Sequence, residues 1–104
     1  MKKIINGKRY DTEKATLIGE YDYEYPGDFN YISEGLYITP RSKIYFIAGE
    51  GGANTKYRET VSQNTWSGGE LIQPLEKEDA FEWAQRHLTP EEVEEHFGDM
   101  IEDA

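Results

Sequence analysis

The run Gly35-Leu36-Tyr37-Ile38-Thr39-Pro40-Arg41-Ser42-Lys43-Ile44-Tyr45-Phe46-Ile47-Ala48 decides the fold. Its aromatic and β-branched residues favour a pleated backbone, and Pro40, Arg41 and Ser42 supply a turn. The stretch therefore reads as a β-hairpin, Gly35 to Thr39 and Lys43 to Ala48, at the centre of an antiparallel sheet. Working outward, Lys2 to Ile5 and Lys8 to Tyr10 flank Asn6-Gly7, a dipeptide that accepts the positive φ angles of a type I′ turn. A second hairpin is expected there. Asp11 or Thr12 can then cap a short helix reaching about Gly19, with Ala15 and Ile18 on its inner face. Glu20-Tyr21-Asp22-Tyr23-Glu24-Tyr25 alternates acid and aromatic with period two, so an extended strand would place three tyrosines on one face and three acids on the other.

On the C-terminal side, Gly49-Glu50-Gly51-Gly52 is expected to break the strand. Asn54 to Ser62 is ambiguous, since Tyr57 and Val61 stand four apart as in a short helix. Glu70 to Gln73 reads as a short strand ended by Pro74. Two helices follow. One, from about Lys77 to Leu88, places Ala80, Phe81, Ala84 and Leu88 on one stripe with Trp83 and His87 beside it. The other opens on Thr89-Pro90-Glu91-Glu92, a capping box, turns Val93 and Phe97 inward and stops at Gly98. The expected fold class is α+β in a single domain, 1–104. It has an antiparallel sheet of about four or five strands, one short N-terminal helix, and two C-terminal helices packed on one face.

Charge and composition narrow the function classes. The chain has 104 residues, a formal net charge of -10 and no cysteine, which removes thiolate chemistry, disulfides and Cys-rich zinc sites. Only Ile4 and Ile5 follow Lys2 and Lys3 before polar residues resume, so an export segment is not expected, and the reading is cytoplasmic. From Glu76 onward eleven acids (Glu76, Glu78, Asp79, Glu82, Glu91, Glu92, Glu94, Glu95, Asp99, Glu102, Asp103) face only Lys77 and Arg86, a net charge of -9. The remaining residues carry -1. That balance argues against direct nucleic-acid or membrane partners, which need a basic footprint.

Four patterns could carry chemistry. Gly49-Glu50-Gly51-Gly52-Ala53-Asn54-Thr55-Lys56 is suggestive of a phosphate loop, but Asn54 stands where the pattern counted from Gly49 needs glycine, and Tyr57 follows Lys56 where the magnesium-binding Ser or Thr would stand. A phosphate- or nucleotide-binding domain built on this loop is kept as an alternative. Asp22, Glu24, Gly27, Asp28 and Asn30 follow a calcium-loop spacing, yet Pro26 and Ser33 remove two ligand places. His87 and His96 lie near acids without zinc spacing or an accompanying nucleophile. No catalytic residue, cofactor or metal site is therefore assigned.

The fourth pattern is acidic. On one continuous helix Glu91, Glu95, Asp99 and Asp103 would recur every four residues, about 6 Å apart, like a row of phosphates. The plainer reading is a solvated, solubilising face. The candidate partner-binding residues are Glu78, Asp79, Glu82, Glu91, Glu92, Glu94, Glu95 and Asp99, together with Tyr21, Tyr23 and Tyr25. Phe29 and Tyr31 belong to the same aromatic set, which serves as core if covered and as contact area if exposed.

Lys3-Ile4-Ile5-Asn6-Gly7-Lys8-Arg9-Tyr10-Asp11-Thr12, Leu36-Tyr37 through Tyr45-Phe46 to Gly49-Glu50-Gly51-Gly52-Ala53, and Ala80 with Trp83-Ala84 and His87-Leu88 are similar to stretches of another group. Together they resemble small uncharacterised proteins encoded by phages and integrative elements of Firmicutes. Arg41-Ser42-Lys43 departs from that resemblance, which would place a glycine in the hairpin turn. The resemblance supplies no catalytic motif. It implies a non-enzymatic inhibitor of anti-CRISPR or anti-restriction type, acting on a host protein with a basic nucleic-acid-binding surface. A dimerising scaffold, with a second copy of the chain as partner, is the other alternative.

Overall fold

The computed structural model describes residues 1–104 and is an α+β fold with eight strands and two α-helices. The strands are β1 (Lys2–Ile5), β2 (Lys8–Asp11), β3 (Thr16–Tyr23), β4 (Ile32–Ile38), β5 (Tyr45–Gly51), β6 (Glu59–Ser62), β7 (Thr65–Ser67) and β8 (Gly69–Leu75). Helices α1 (Lys77–His87) and α2 (Pro90–Phe97) follow, and a 3-10 turn spans Gly98–Met100. All pairing is antiparallel. The main sheet has the order β3-β4-β5-β8, and β1-β2 and β6-β7 form separate two-stranded ribbons. These two ribbons help stretch the molecule to 49 × 34 × 20 Å, with a radius of gyration of 15.0 Å against about 13 Å for a compact chain of this length.

The central hairpin is β4-β5, longer at both far ends than its sequence suggests. Its turn closes through a Thr39 N–H bond to the Ile44 carbonyl at 2.9 Å, and Lys43 takes φ +54° at the place where glycine would be comfortable. Asn6 and Gly7 both have positive φ, +51° and +77°, as a type I′ turn requires.

No N-terminal helix forms. Asp11 to Ala15 is a single turn, held by Lys14 and Ala15 N–H bonds to the Asp11 carbonyl and by the Asp11 side chain accepting from Glu13 N–H at 3.0 Å. The chain then enters β3. A bulge between Leu17 and Gly19 shifts the register, and Ile18 ends up in the core under the helices. Gly49 and Gly51 do not break β5; both pair with β4 on one side and β8 on the other. Asn54 to Ser62 is not helical: Tyr57 is buried, Val61 is exposed, and Glu59–Ser62 is a strand.

Both helices cover one face of the main sheet. Ala80, Trp83, Ala84, Val93 and Phe97 pack on Ile18, Leu36 and Ile47, with Tyr45 stacked on Phe97 at 5.4 Å. Fully burying a side chain such as Leu36 or Phe97 is worth about 1.5–3 kcal/mol, so this layer anchors the fold. At α1, Glu78 and Asp79 in the first turn and Arg86 in the last complement the helix dipole. The α2 capping box is present as read: Thr89 accepts from Glu92 N–H, and Glu92 accepts from Thr89 N–H at 3.0 Å. On the opposite sheet face a smaller core of Tyr10, Phe46, Ala48 and Ile72 lies at the end where the β1-β2 ribbon packs. No helix is long and apolar enough to cross a membrane.

Candidate functional site

The register sorts the acids of the main sheet onto two faces. Glu34 on β4 points to the helices, as do Leu36 and Ile38, whereas Ser33 faces away and pairs with Glu50. Glu34 is only 5% exposed. Its carboxylate accepts from Trp83 Nε1 at 3.0 Å and from the Tyr57 hydroxyl, and Lys56 Nζ reaches it at 2.8 Å. Burial alone would raise the Glu34 pKa; the hydrogen bonds from Lys56, Trp83 and Tyr57 reverse that and leave it below its ordinary value. Tyr57 moves the other way, strongly upward, through burial and through the Glu34 charge beside it.

The glycines make room for this arrangement. A Cβ on Gly49 would overlap the Tyr57 ring, and one on Gly51 would meet Thr55 and Tyr57. Their N–H and C=O groups lie within the β4-β5-β8 ladders, and Lys56 is paired with Glu34. The stretch that reads as a phosphate loop is therefore a strand cleared for a tyrosine, and it forms no backbone cradle for an anion. Beside it His87 is wedged between Tyr21, stacked at 3.9 Å, and Trp83, edge-on at 5.1 Å. Burial lowers the His87 pKa and keeps the imidazole neutral. Three donors occupy Glu34, so its carboxylate ties strands to helix.

The expected acidic row is shorter than its sequence spacing suggests. Helix α2 ends at Phe97, so Asp99 lies in the 3-10 turn and Asp103 beyond it, outside any helix. Three of the acids are also engaged. Glu82 pairs with Arg86, Asp99 accepts from Lys77 at 2.9 Å, and Glu92 is held in the capping box. Glu78, Asp79, Glu91, Glu94 and Glu95 remain exposed without a Lys or Arg partner. The Lys77–Asp99 pair lowers the Asp99 pKa and raises that of Lys77, through their mutual hydrogen bond.

The tyrosine set divides. Tyr21 is half-buried on His87, while Tyr23 and Tyr25 are exposed, Tyr25 at 64%. Glu24 has φ +62° and ends β3, so Tyr25 does not continue the Tyr21–Tyr23 face. Phe29, 69% exposed, and Tyr31 line an open groove of about 710 Å³ with Trp66, Asp28, Glu50, Glu59 and Glu70.

Two features are not legible in the local sequence. One is Glu34, which looks like any surface acid until Lys56, Tyr57 and Trp83 arrive from distant positions. The other is a second acidic row on the open sheet face: Asp22 pairs with Ser33, Ser33 with Glu50, and Glu50 with Glu70, crossing all four strands. The alternating acids of Glu20 to Glu24 were its visible signal. Only the Tyr31 hydroxyl, 3.0 Å from Glu50, hydrogen-bonds to this row. No group of three or more His, Asp or Glu side chains converges to hold a metal ion. Comparison with family models, with curated proteins and with solved structures gives no match in any of the three.

Proposed function

We propose that the chain is a non-enzymatic interaction protein of a phage or other mobile element that blocks a nucleic-acid-binding host defence protein, in the manner of an anti-CRISPR or anti-restriction inhibitor. Its helical layer presents carboxylates where the partner expects phosphates. The observation that carries this reading is the set Glu78, Asp79, Glu91, Glu94 and Glu95, exposed and without a Lys or Arg partner on a firmly packed pair of helices. Lys77 and Arg86, the bases of this layer, are already spent on Asp99 and Glu82. Glu91 and Glu95 stand one helical turn apart, about 6 Å at Cβ, and each such exposed like-charge pair costs roughly 0.2–0.5 kcal/mol of folding energy. A basic groove recovers that cost on binding and speeds encounter through long-range attraction.

The test is competition. Host proteins held on immobilised DNA are challenged with the chain at low and at moderate salt. The expected outcome is release of a discrete protein by the native chain, at least tenfold weaker release by the Glu91→Gln, Glu94→Gln, Glu95→Gln variant, and steep loss with added salt. Equal release by the variant, or release that salt leaves unchanged, rules the reading out.

A further inference from the structure

Whole-chain charge hides a segregated basic end. Seven of the eleven Lys and Arg residues fall in two segments, Lys2, Lys3, Lys8, Arg9 and Lys14 in the first 14 residues and Arg41 and Lys43 in the β4-β5 turn. None of the seven takes part in an ion pair. Four of them, Lys8, Arg9, Lys14 and Arg41, line one pocket of about 280 Å³ between strand β2, the turn after it and the β4-β5 turn. Lys43 lies elsewhere, in a shallow cavity with Glu76 and Asp79.

The pocket is built for an anion in three respects. Its only carboxylate, Asp11, accepts from Glu13 N–H at 3.0 Å and neutralises none of the four cations by an ion pair. Thr39, which lines the pocket at 9% exposure, accepts from Ile44 N–H at 2.9 Å while its own O–H donates to no atom of the chain. Ser42 adds a second hydroxyl, and Tyr10, Ala15 and Ile44 give an apolar floor. A chain of net charge -10 had carboxylates in plenty with which to neutralise this end. Concentrating unpaired cations there costs self-repulsion, which a bound anion removes.

The geometry points to a phosphate-binding site at this pocket, formed by Lys8, Arg9, Lys14, Arg41, Thr39 and Ser42. Arginine forks match phosphate oxygens two at a time, and the lysines add point charges around them. The volume lies at the lower end of ligand pockets, so it takes one phosphate with a small organic part rather than a large cofactor. The phosphate belongs either to a free mononucleotide or to one nucleotide of a nucleic-acid strand. This site is independent of the acidic helical layer, and either can fail without the other.

The experiment is an amide-shift titration of the whole chain with three probes: inorganic phosphate, adenosine monophosphate, and a single-stranded ten-nucleotide oligothymidine. Shifts are expected at Lys8 to Ala15 and Thr39 to Ile44, with no response at α2. The Lys14→Gln, Arg41→Gln variant, altered only at exposed side chains, should bind at least tenfold more weakly with an unchanged melting temperature. Lys8→Gln, Arg9→Gln provides a second variant with the same expected loss. The Glu91→Gln, Glu94→Gln, Glu95→Gln variant should bind as the native chain does. Equal affinity for the monophosphate and the oligonucleotide identifies a free phosphate ester as the source. Tighter oligonucleotide binding, with log affinity falling by about 0.7 per contacting cation for each log unit of salt, identifies a strand. Silence towards all three probes, or undiminished binding by both double variants, overturns the assignment.

Discussion

Glu34 and Glu50 lie on neighbouring strands of one sheet, yet the pleat sends them to opposite faces and to opposite fates. Glu34 is buried under α1 with Trp83, Tyr57 and Lys56 around it, and it ties strand β4 to the helix and to the loop before β6. Glu50 stands on the open face directly across from Glu70, with one hydrogen bond from Tyr31. Carboxylates of the first kind hold the fold, because removing them strands buried donors. Carboxylates of the second kind cost folding energy and are free to meet a partner. Residue type does not distinguish the two; the facing layer does.

The largest test of this contrast is Glu34→Ala. It leaves the Tyr57 hydroxyl and Trp83 Nε1 without their acceptor, and breaking a buried charged pair costs about 3–5 kcal/mol. Lys56 is half-exposed and can return to water, which puts the expectation at the lower end, about 3 kcal/mol in urea unfolding at neutral pH. Glu50→Ala should stay within about 0.5 kcal/mol of the native chain. The same contrast appears with pH. The folded pKa of Glu34 lies below its unfolded value near 4.5, so its contribution is complete above that pH and is lost as pH falls through the folded pKa. Glu34→Gln should flatten this acid limb, and an unaltered limb would mean that other carboxylates govern it.

The next test addresses how Glu34 is reached. Gly49→Ala drives a methyl group into the Tyr57 ring, and overpacking of this kind costs about 1–3 kcal/mol. In a Tyr57→Leu background the ring is gone, so most of that penalty should vanish, giving a coupling of about 1 kcal/mol or more in a double-mutant cycle. Additive effects would show that the glycine serves the backbone rather than the tyrosine.

How much of this was legible in the sequence follows from range. Asn6-Gly7, the Thr89 capping box and the central hairpin are written in adjacent residues, and each forms where it reads. The helix expected after Asp11 does not form, and the Leu17/Gly19 bulge explains the spacing that suggested it. The bulge turns Ile18 towards the core out of strand phase, so Ala15 and Ile18 imitate helical spacing while lying in a turn and a strand. Tyr57 and Val61 mislead in the same way, being four apart by coincidence of a loop and a ribbon. The site is less legible still. Glu34 meets its partners across 22, 23 and 49 residues, and the basic pocket joins positions 8–14 to position 41. A balance struck over the whole chain averages such a pocket away.

The smallest effect runs in the opposite sense to the first. Glu50 and Glu70 occupy directly opposed positions on β5 and β8, where like charges destabilise, and Asp22 continues the row across Ser33. Replacing Glu70 by Gln keeps the shape and removes one charge, so the chain should gain roughly 0.2–1 kcal/mol, more at low salt than at high. Adding Glu50→Gln should give little further gain, because the pair is already relieved and the bond from Tyr31 is weakened. If Glu70→Gln stabilised the fold but reduced release of DNA-bound proteins in the competition assay, the open sheet face rather than the helical layer would carry the partner. A row that costs stability and changes nothing else would instead leave the helical carboxylates as the docking surface.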